Sequence, residues 1–204
     1  MKLYTSVGPN PRVVKMFLAE KGIDLARVTV DLGVGENRQE AYLKLNPAGQ
    51  TPALELDDGS YLSEITAICE YIEERHPSPP LIGATPEERA AARMWTRRVD
   101  IMICEPLANG FRYGEGLQIF QNRIRCLPEA SAGLKAVAHD GEKWLEGQLS
   151  GPWIAGDRFT LADILLFAFI DFGGVVGQPL DPGLSKLNAW FARVKERPSA
   201  AASA

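Results

Sequence analysis

The stretch Asn46-Pro47-Ala48-Gly49-Gln50-Thr51-Pro52-Ala53-Leu54 sets a proline where an edge strand should begin, although proline lacks the N–H that a sheet ladder would use. A cis Thr51–Pro52 bond would turn the Thr51 N–H and C=O toward a peptide lying antiparallel to them, a form of β-augmentation. An ordinary turn proline is the competing reading. Glu64 follows a strand-like run and precedes a helical one, so its carboxylate can either meet an ammonium group or complement a helix dipole. Near the N-terminus, Ser6-Val7-Gly8-Pro9-Asn10-Pro11-Arg12 offers two donors. Asn10 can aim an amide from a helix start or cap the helix ahead of Pro11, and Ser6 is a catalytic hydroxyl or the end of a strand. Tyr4 reads as core, and Arg12 steers an anion or is a solvated first-turn arginine.

Other chemistries find little support. Cys69, Cys104 and Cys126 are an odd number, far apart and without CxxC spacing, which argues against a disulfide framework or thiolate metal site and for a reducing compartment. His76 and His139 are too few and too separated for a metal centre, so none is expected. A net charge of -4 with interspersed signs leaves no basic face for nucleic acid or an anionic bilayer. The start MKLYTSVGPN has no signal-peptide core and no apolar run is long enough to span a bilayer, so the chain reads as cytoplasmic.

The elements that must position these residues follow from periodicity. Lys2 to Thr5 reads as a strand, Arg12 to Gly22 as a helix and Ala26 to Leu32 as a second strand, a βαβ unit. A short helix over Glu40 to Leu45 precedes a strand over Gln50 to Leu56, a turn at Asp57-Asp58-Gly59-Ser60, a returning strand at Tyr61-Leu62 and a helix closing at His76-Pro77. Residues 1–77 form this α/β domain, the proline-rich 78–85 a linker, and 86–204 an all-helical domain. Within it, helices are expected from Pro86 to about Tyr113, Glu129 to Leu149, Leu161 to Phe172 and Ser185 to Arg197, with Pro198 to Ala204 fraying. Thr160 and Asp163 have capping-box spacing. At 204 residues, 46% hydrophobic and 24% charged, the chain suits two modest cores.

This order of elements, with NPAGQTPAL and the downstream LSEITAICEYI, resembles the cytosolic glutathione S-transferase family along nearly the whole chain. The resemblance implies a thioredoxin-like N-terminal domain (βαβ then αββα) that binds glutathione as co-substrate, an all-α C-terminal domain, and a homodimer. It implies that Thr51, with a cis bond at Pro52, grips the cysteinyl backbone of glutathione and that Glu64 binds its γ-glutamyl amine. Many members follow that acid with serine; here Ile65 leaves only its N–H for the γ-glutamyl carboxylate. Thr66 could add a hydroxyl or cap the helix. For the glycyl end, the resemblance points to Gln50 together with Lys44 or Asn37, with Gln50 favoured by its adjacency to Thr51.

Family members activate the thiol with Tyr, Ser or Cys, but the usual serine position is Gly8 here. Asn10 is the best remaining donor, as in bacterial and fungal relatives with an Asn-containing loop, and Ser6 is the second candidate. The electrophile pocket would lie between the domains, with Arg98, Met102, Asn109, Arg112 and Tyr113 as candidates; Arg112 could equally be a helix C-terminal cation and Tyr113 a half-buried aromatic. The implied activity is transfer of glutathione to a small apolar electrophile. Glutathione-dependent disulfide or peroxide reduction, and a non-catalytic binding or regulatory module, are the alternatives.

Overall fold

Alternation at the chain start produces β1 (Lys2–Thr5), with Leu3 and Thr5 turned inward. The following α1 (Pro9–Glu20) buries Val13, Val14, Met16, Phe17 and Leu18 at helical spacing. Gly22, at φ 66°, ends it by letting the Ile23 N–H return to the Leu18 carbonyl at 3.0 Å. β2 (Ala26–Thr29) then pairs parallel to β1, completing the expected βαβ unit. It stops short of Leu32 because the Asp31 carboxylate accepts the Gly33 N–H at 2.7 Å and turns the chain. A 3-10 turn, Glu36–Arg38, leads into the short α2 (Glu40–Leu43).

β3 (Ala53–Glu55) runs antiparallel to β1 and β4 (Tyr61–Ser63) antiparallel to β3, giving the order β2-β1-β3-β4. Their turn is closed by Asp58, whose carboxylate accepts the Ser60 N–H at 2.9 Å. α3 (Ile65–Arg75) returns across α1. The proline-rich segment after it does not swing free. Buried Lys21 pairs with buried Glu73 and donates to the His76 and Pro79 carbonyls at 2.8 and 2.5 Å, while Glu73 accepts the Leu81 N–H. An uncompensated charge there would be strongly destabilising, so each member holds the other in place.

The computed structural model describes residues 1–204 and groups them into two units, Met1–Leu81 with Pro198–Ala204, and Ile82–Arg197. The second is helical: α4 (Pro86–Val99), a π-helical segment Asp100–Cys104, α5 (Glu105–Tyr113), the short α6 (Leu117–Phe120), α7 (Ser131–Gln148), α8 (Leu161–Val175) and α9 (Ser185–Lys195). The single helix expected from Pro86 to Tyr113 is thus interrupted. Pro106 lacks an N–H and its ring crowds the carbonyl four residues earlier, that of Met102, and the wider π turn accommodates both. Gly141 of α7 lies against this same carbonyl, so close that a Cβ there would clash with the oxygen.

α8 is buried almost throughout from Leu161 to Ile170 and forms the centre of this unit with Trp190. The expected capping box is present. Asp163 accepts the Thr160 N–H at 2.9 Å, and its second oxygen takes the Ile154 N–H at 2.9 Å and the Trp190 indole N–H at 2.8 Å. One carboxylate therefore ties the preceding loop, α8 and α9. No helix is long and apolar enough to cross a membrane.

The tail departs from expectation. Pro198–Ala202 forms α10, which packs on α1 and groups with the first unit, not with the helical residues that precede it in the chain. Ala200 and Ser203 are buried, the Ser199 hydroxyl donates to Glu20, and Arg12 donates to the Ala200 carbonyl at 3.4 Å. Small side chains that look featureless in sequence are what allow this close approach.

Candidate functional site

Strand register gathers the sequence candidates of the first unit. Ala53 faces Tyr4 on one side and Ser63 on the other. Ser6 after β1, Thr51-Pro52 before β3 and Glu64 after β4 therefore leave the sheet at the same end, where α1 and α3 also begin. The Thr51–Pro52 bond is cis, as the resemblance implies. The β1–β3 ladder starts only at Ala53, and no backbone hydrogen bond of the protein uses the Thr51 N–H or C=O. Those groups stay available to an extended ligand. The Thr51 and Ser6 hydroxyls lie 2.6 Å apart, and Ser6 is buried.

Glu64 has φ 70° and is the one non-glycine residue with positive φ. Holding an L-residue there costs of order 1–3 kcal/mol, a cost that persists where the surrounding structure imposes it and that clusters at functional sites. Its side chain is exposed just ahead of α3. The first amide bonded within that helix is Ile68, to the Glu64 carbonyl at 2.9 Å, so the Ile65, Thr66 and Ala67 N–H groups face its open end. This is an anion-binding end with a carboxylate beside it, suited to an α-amino acid group. Thr66 lies inside the first turn and Glu64 holds the cap position, so Thr66 is no helix cap.

α1 begins three residues earlier than periodicity suggests. Gly8 occupies its cap position at φ 109° and ψ 171°, Pro9 is at N1 and half-buried Asn10 at N2. This removes the N-cap reading of Asn10 and leaves its amide in the first turn. A serine at Gly8 would have to adopt that positive φ, a conformation that L side chains rarely take. Burial pushes the Cys69 and Cys104 thiols up, which excludes both as ready thiolates.

Residues 7–75 match the family model for the glutathione S-transferase N-terminal domain and residues 117–198 that for its C-terminal domain. The chain is 32% identical over 202 residues, 96% of its length and 85% of the relative's, to glutathione S-transferase 2 of Saccharomyces cerevisiae. The crystal structure of Gtt2 from the same yeast superposes with a TM-score of 0.92 at 31% identity and covers both chains completely. The chain belongs to the glutathione S-transferase family. A maleylacetoacetate isomerase of Pseudomonas aeruginosa is also similar, 46% identical over 177 residues, 81% of this chain and 78% of the relative. Membership makes the protein a glutathione transferase with glutathione as co-substrate.

In this transferase the loop before Thr51 is held by side chains that sequence patterns did not assign to it. Tyr42 and Asn46 both donate to the Gln50 carbonyl, at 2.6 and 2.8 Å, and Asn37 donates to the Gly49 carbonyl at 2.7 Å. Asn37, suggested for the glycyl end, is instead buried as a loop clamp. Lys44 is exposed and paired with Glu40. Gln50 is exposed, and Arg38, which no sequence pattern singled out, lies with its guanidinium 3.4 Å from the Ala48 carbonyl. The polar run Glu36-Asn37-Arg38 before α2 is its only signal in the sequence.

In the transferase's helical unit, the acceptor candidates separate into two groups. Arg98 stacks over Trp95 and Trp144, at 5.0 and 5.8 Å from their ring centres, so its guanidinium is engaged by aromatic faces. Arg112 instead donates to the Asn109 side-chain amide oxygen at 2.9 Å, and the Asn109 amide nitrogen donates to Glu105 at 3.3 Å, a polar row along one face of α5. Met102 lies in the π-helical segment and Tyr113 ends α5; both are half-buried.

Proposed function

We propose that this glutathione transferase docks its co-substrate across the shared sheet end. The Thr51 N–H and C=O pair with the cysteinyl backbone; Glu64 takes the γ-glutamyl amine and the Ile65 and Thr66 N–H groups its carboxylate. Gln50 and Arg38 meet the glycyl carboxylate. The single observation that carries this reading is the Thr51 amide and carbonyl, left unused by the fold ahead of Pro52, at the same sheet end as the strained Glu64.

Asn10 supplies the activating hydrogen bond. A free thiol titrates near 8.5, and moving it to about 6.5 requires about 2.7 kcal/mol. A side-chain donor together with the α1 N-terminus is of that order. The thiolate then attacks the electrophilic carbon of a small apolar acceptor brought near the sulfur, forming a carbon–sulfur bond as the acceptor's leaving group, chloride in a chlorinated aromatic, departs with its electron pair. Activation and proximity share the work. Met102, Asn109, Arg112 and Tyr113 are the residues proposed for the acceptor. Asn109 and Arg112 supply polar contacts; Arg98, held over the faces of two tryptophans, is better suited to supporting α4. The working molecule is proposed to be a cytoplasmic homodimer, which a measured mass of one chain in solution would refute.

The missing serine at Gly8 favours a second reading, glutathione-dependent disulfide reduction, in which a second glutathione resolves the mixed disulfide. Assaying the purified protein with a chlorinated nitroaromatic acceptor and, separately, with a glutathione mixed disulfide distinguishes them. Conjugation of the aromatic is expected, and turnover of the disulfide alone would overturn the transfer reading.

A further inference from the structure

Three side chains converge on the two carbonyls that precede Thr51. Asn46 and Tyr42 saturate the Gln50 carbonyl, Asn37 takes that of Gly49, and the Asn46 side-chain oxygen accepts the Ala48 N–H at 3.1 Å. All three are at least nine-tenths buried, at 4%, 3% and 5% exposure for Tyr42, Asn46 and Asn37. Burial raises the Tyr42 phenol to about 12, so it stays a donor at any working pH. Gly49, at φ 61°, completes the fit: a Cβ there would come within 3.0 Å of the Asn37 carbonyl oxygen and 2.9 Å of the Arg38 guanidinium.

We propose that Tyr42, Asn46 and Asn37 are positioning residues for glutathione, fixing the peptide planes at 49 and 50 and so the register in which the tripeptide meets Thr51. The inference rests on the docking mode proposed above. These side chains are too buried to touch a ligand and reach it only through the backbone. A carbonyl that accepts two inward donors cannot rotate without leaving buried polar groups unpaired. The peptide plane between Gln50 and Thr51 contains both that carbonyl and the Thr51 N–H, so fixing one fixes the other. The Gln50 side chain, by contrast, remains exposed and free to meet the ligand.

A bond network that merely held the fold would affect stability without changing ligand affinity, and this separates the two roles. Glutathione binding is measured by calorimetry for the wild type, for Tyr42→Phe, which removes one oxygen, and for the double variant Tyr42→Phe/Asn46→Ser. Gly141→Ala, in the helical unit, is the control for general destabilisation. The expected result is a three- to tenfold rise in the glutathione Kd for Tyr42→Phe and a further rise for the double variant. At saturating glutathione, kcat should stay within twofold of wild type, and the Kd of Gly141→Ala should be unchanged. An unaltered Kd in Tyr42→Phe, or an equal rise in Gly141→Ala, would overturn the positioning role. Absence of binding to the wild type would instead remove the glutathione docking mode itself, and that arm is read first.

Discussion

The Ser6 and Thr51 hydroxyls stand 2.6 Å apart, and the Ser6 hydroxyl also lies 3.1 Å from the Val7 carbonyl. Serine has one proton to give. If it goes to Val7, Thr51 is the donor of the pair, and the loop before α1 is tied to the loop before β3. Ser6 then aligns two halves of the site and does not activate the thiol. Ser6→Ala should raise the KM for glutathione about three- to tenfold, the equivalent of one hydrogen bond, with turnover nearly unchanged. A turnover lowered by about two orders of magnitude or more would return Ser6 to the activating role.

Asn10→Ala is expected to behave oppositely. Turnover should fall about 10- to 100-fold while the affinity for glutathione changes little, because the amide acts on the sulfur and not on the backbone of the tripeptide. The absorbance of bound thiolate, followed against pH, should show the thiol titrating closer to its free value.

Glu64 carries backbone strain at the position proposed to bind the γ-glutamyl amine. Glu64→Ala should weaken glutathione binding by about tenfold or more, the loss of a charge-assisted contact. Glu64→Gly should lose the same affinity yet melt no lower than Glu64→Ala, because glycine relieves the positive φ. Thermal melts of the two variants side by side check this.

Asp163 gives a pH dependence with a definite sign. Full burial outweighs its four donors and moves its carboxyl from 3.8 up to about 6. The folded state therefore holds this proton more tightly than the unfolded chain, so the contribution is complete below about pH 4 and is lost as pH rises through 6. The difference amounts to about 3 kcal/mol. Between about pH 4 and pH 7 the stability of Asp163→Asn should move in the variant's favour relative to wild type by up to this amount, as measured by denaturant unfolding at each pH.

Gly141→Ala should drive a methyl into the Met102 carbonyl. Overpacking of this kind costs about 1–3 kcal/mol. A lower unfolding midpoint is expected, with glutathione affinity preserved.

Local signals carried much of the fold. Period-two alternation in β1, the Asp58-Gly59 turn and the Thr160–Asp163 box are short-range rules, and all three appear where the sequence puts them. What escaped depends on contacts between segments. The inward turn of Tyr42, Asn46 and Asn37 onto residues 49 and 50 is decided by packing, and their polar character points to solvent when read alone. The docking of α10 needs a receiving surface on α1 that no window of sequence contains. The π-helical segment is legible in principle, since Pro106 inside a helical run is a breaker, yet the apolar periodicity around it runs on unbroken. Of the site, Thr51, Pro52 and Glu64 stand out by pattern, whereas the cap position of Gly8 and the placement of Asn10 inside the first turn of α1 required coordinates.

The docking mode is tested most directly by a crystal structure of the protein soaked with glutathione. Density is expected with the cysteinyl amide and carbonyl paired to Thr51, the γ-glutamyl group at Glu64 and the α3 N-terminus, and the sulfur within hydrogen-bond reach of Asn10. A tripeptide bound elsewhere, or a Thr51 backbone left unpaired at saturating glutathione, would contradict the account.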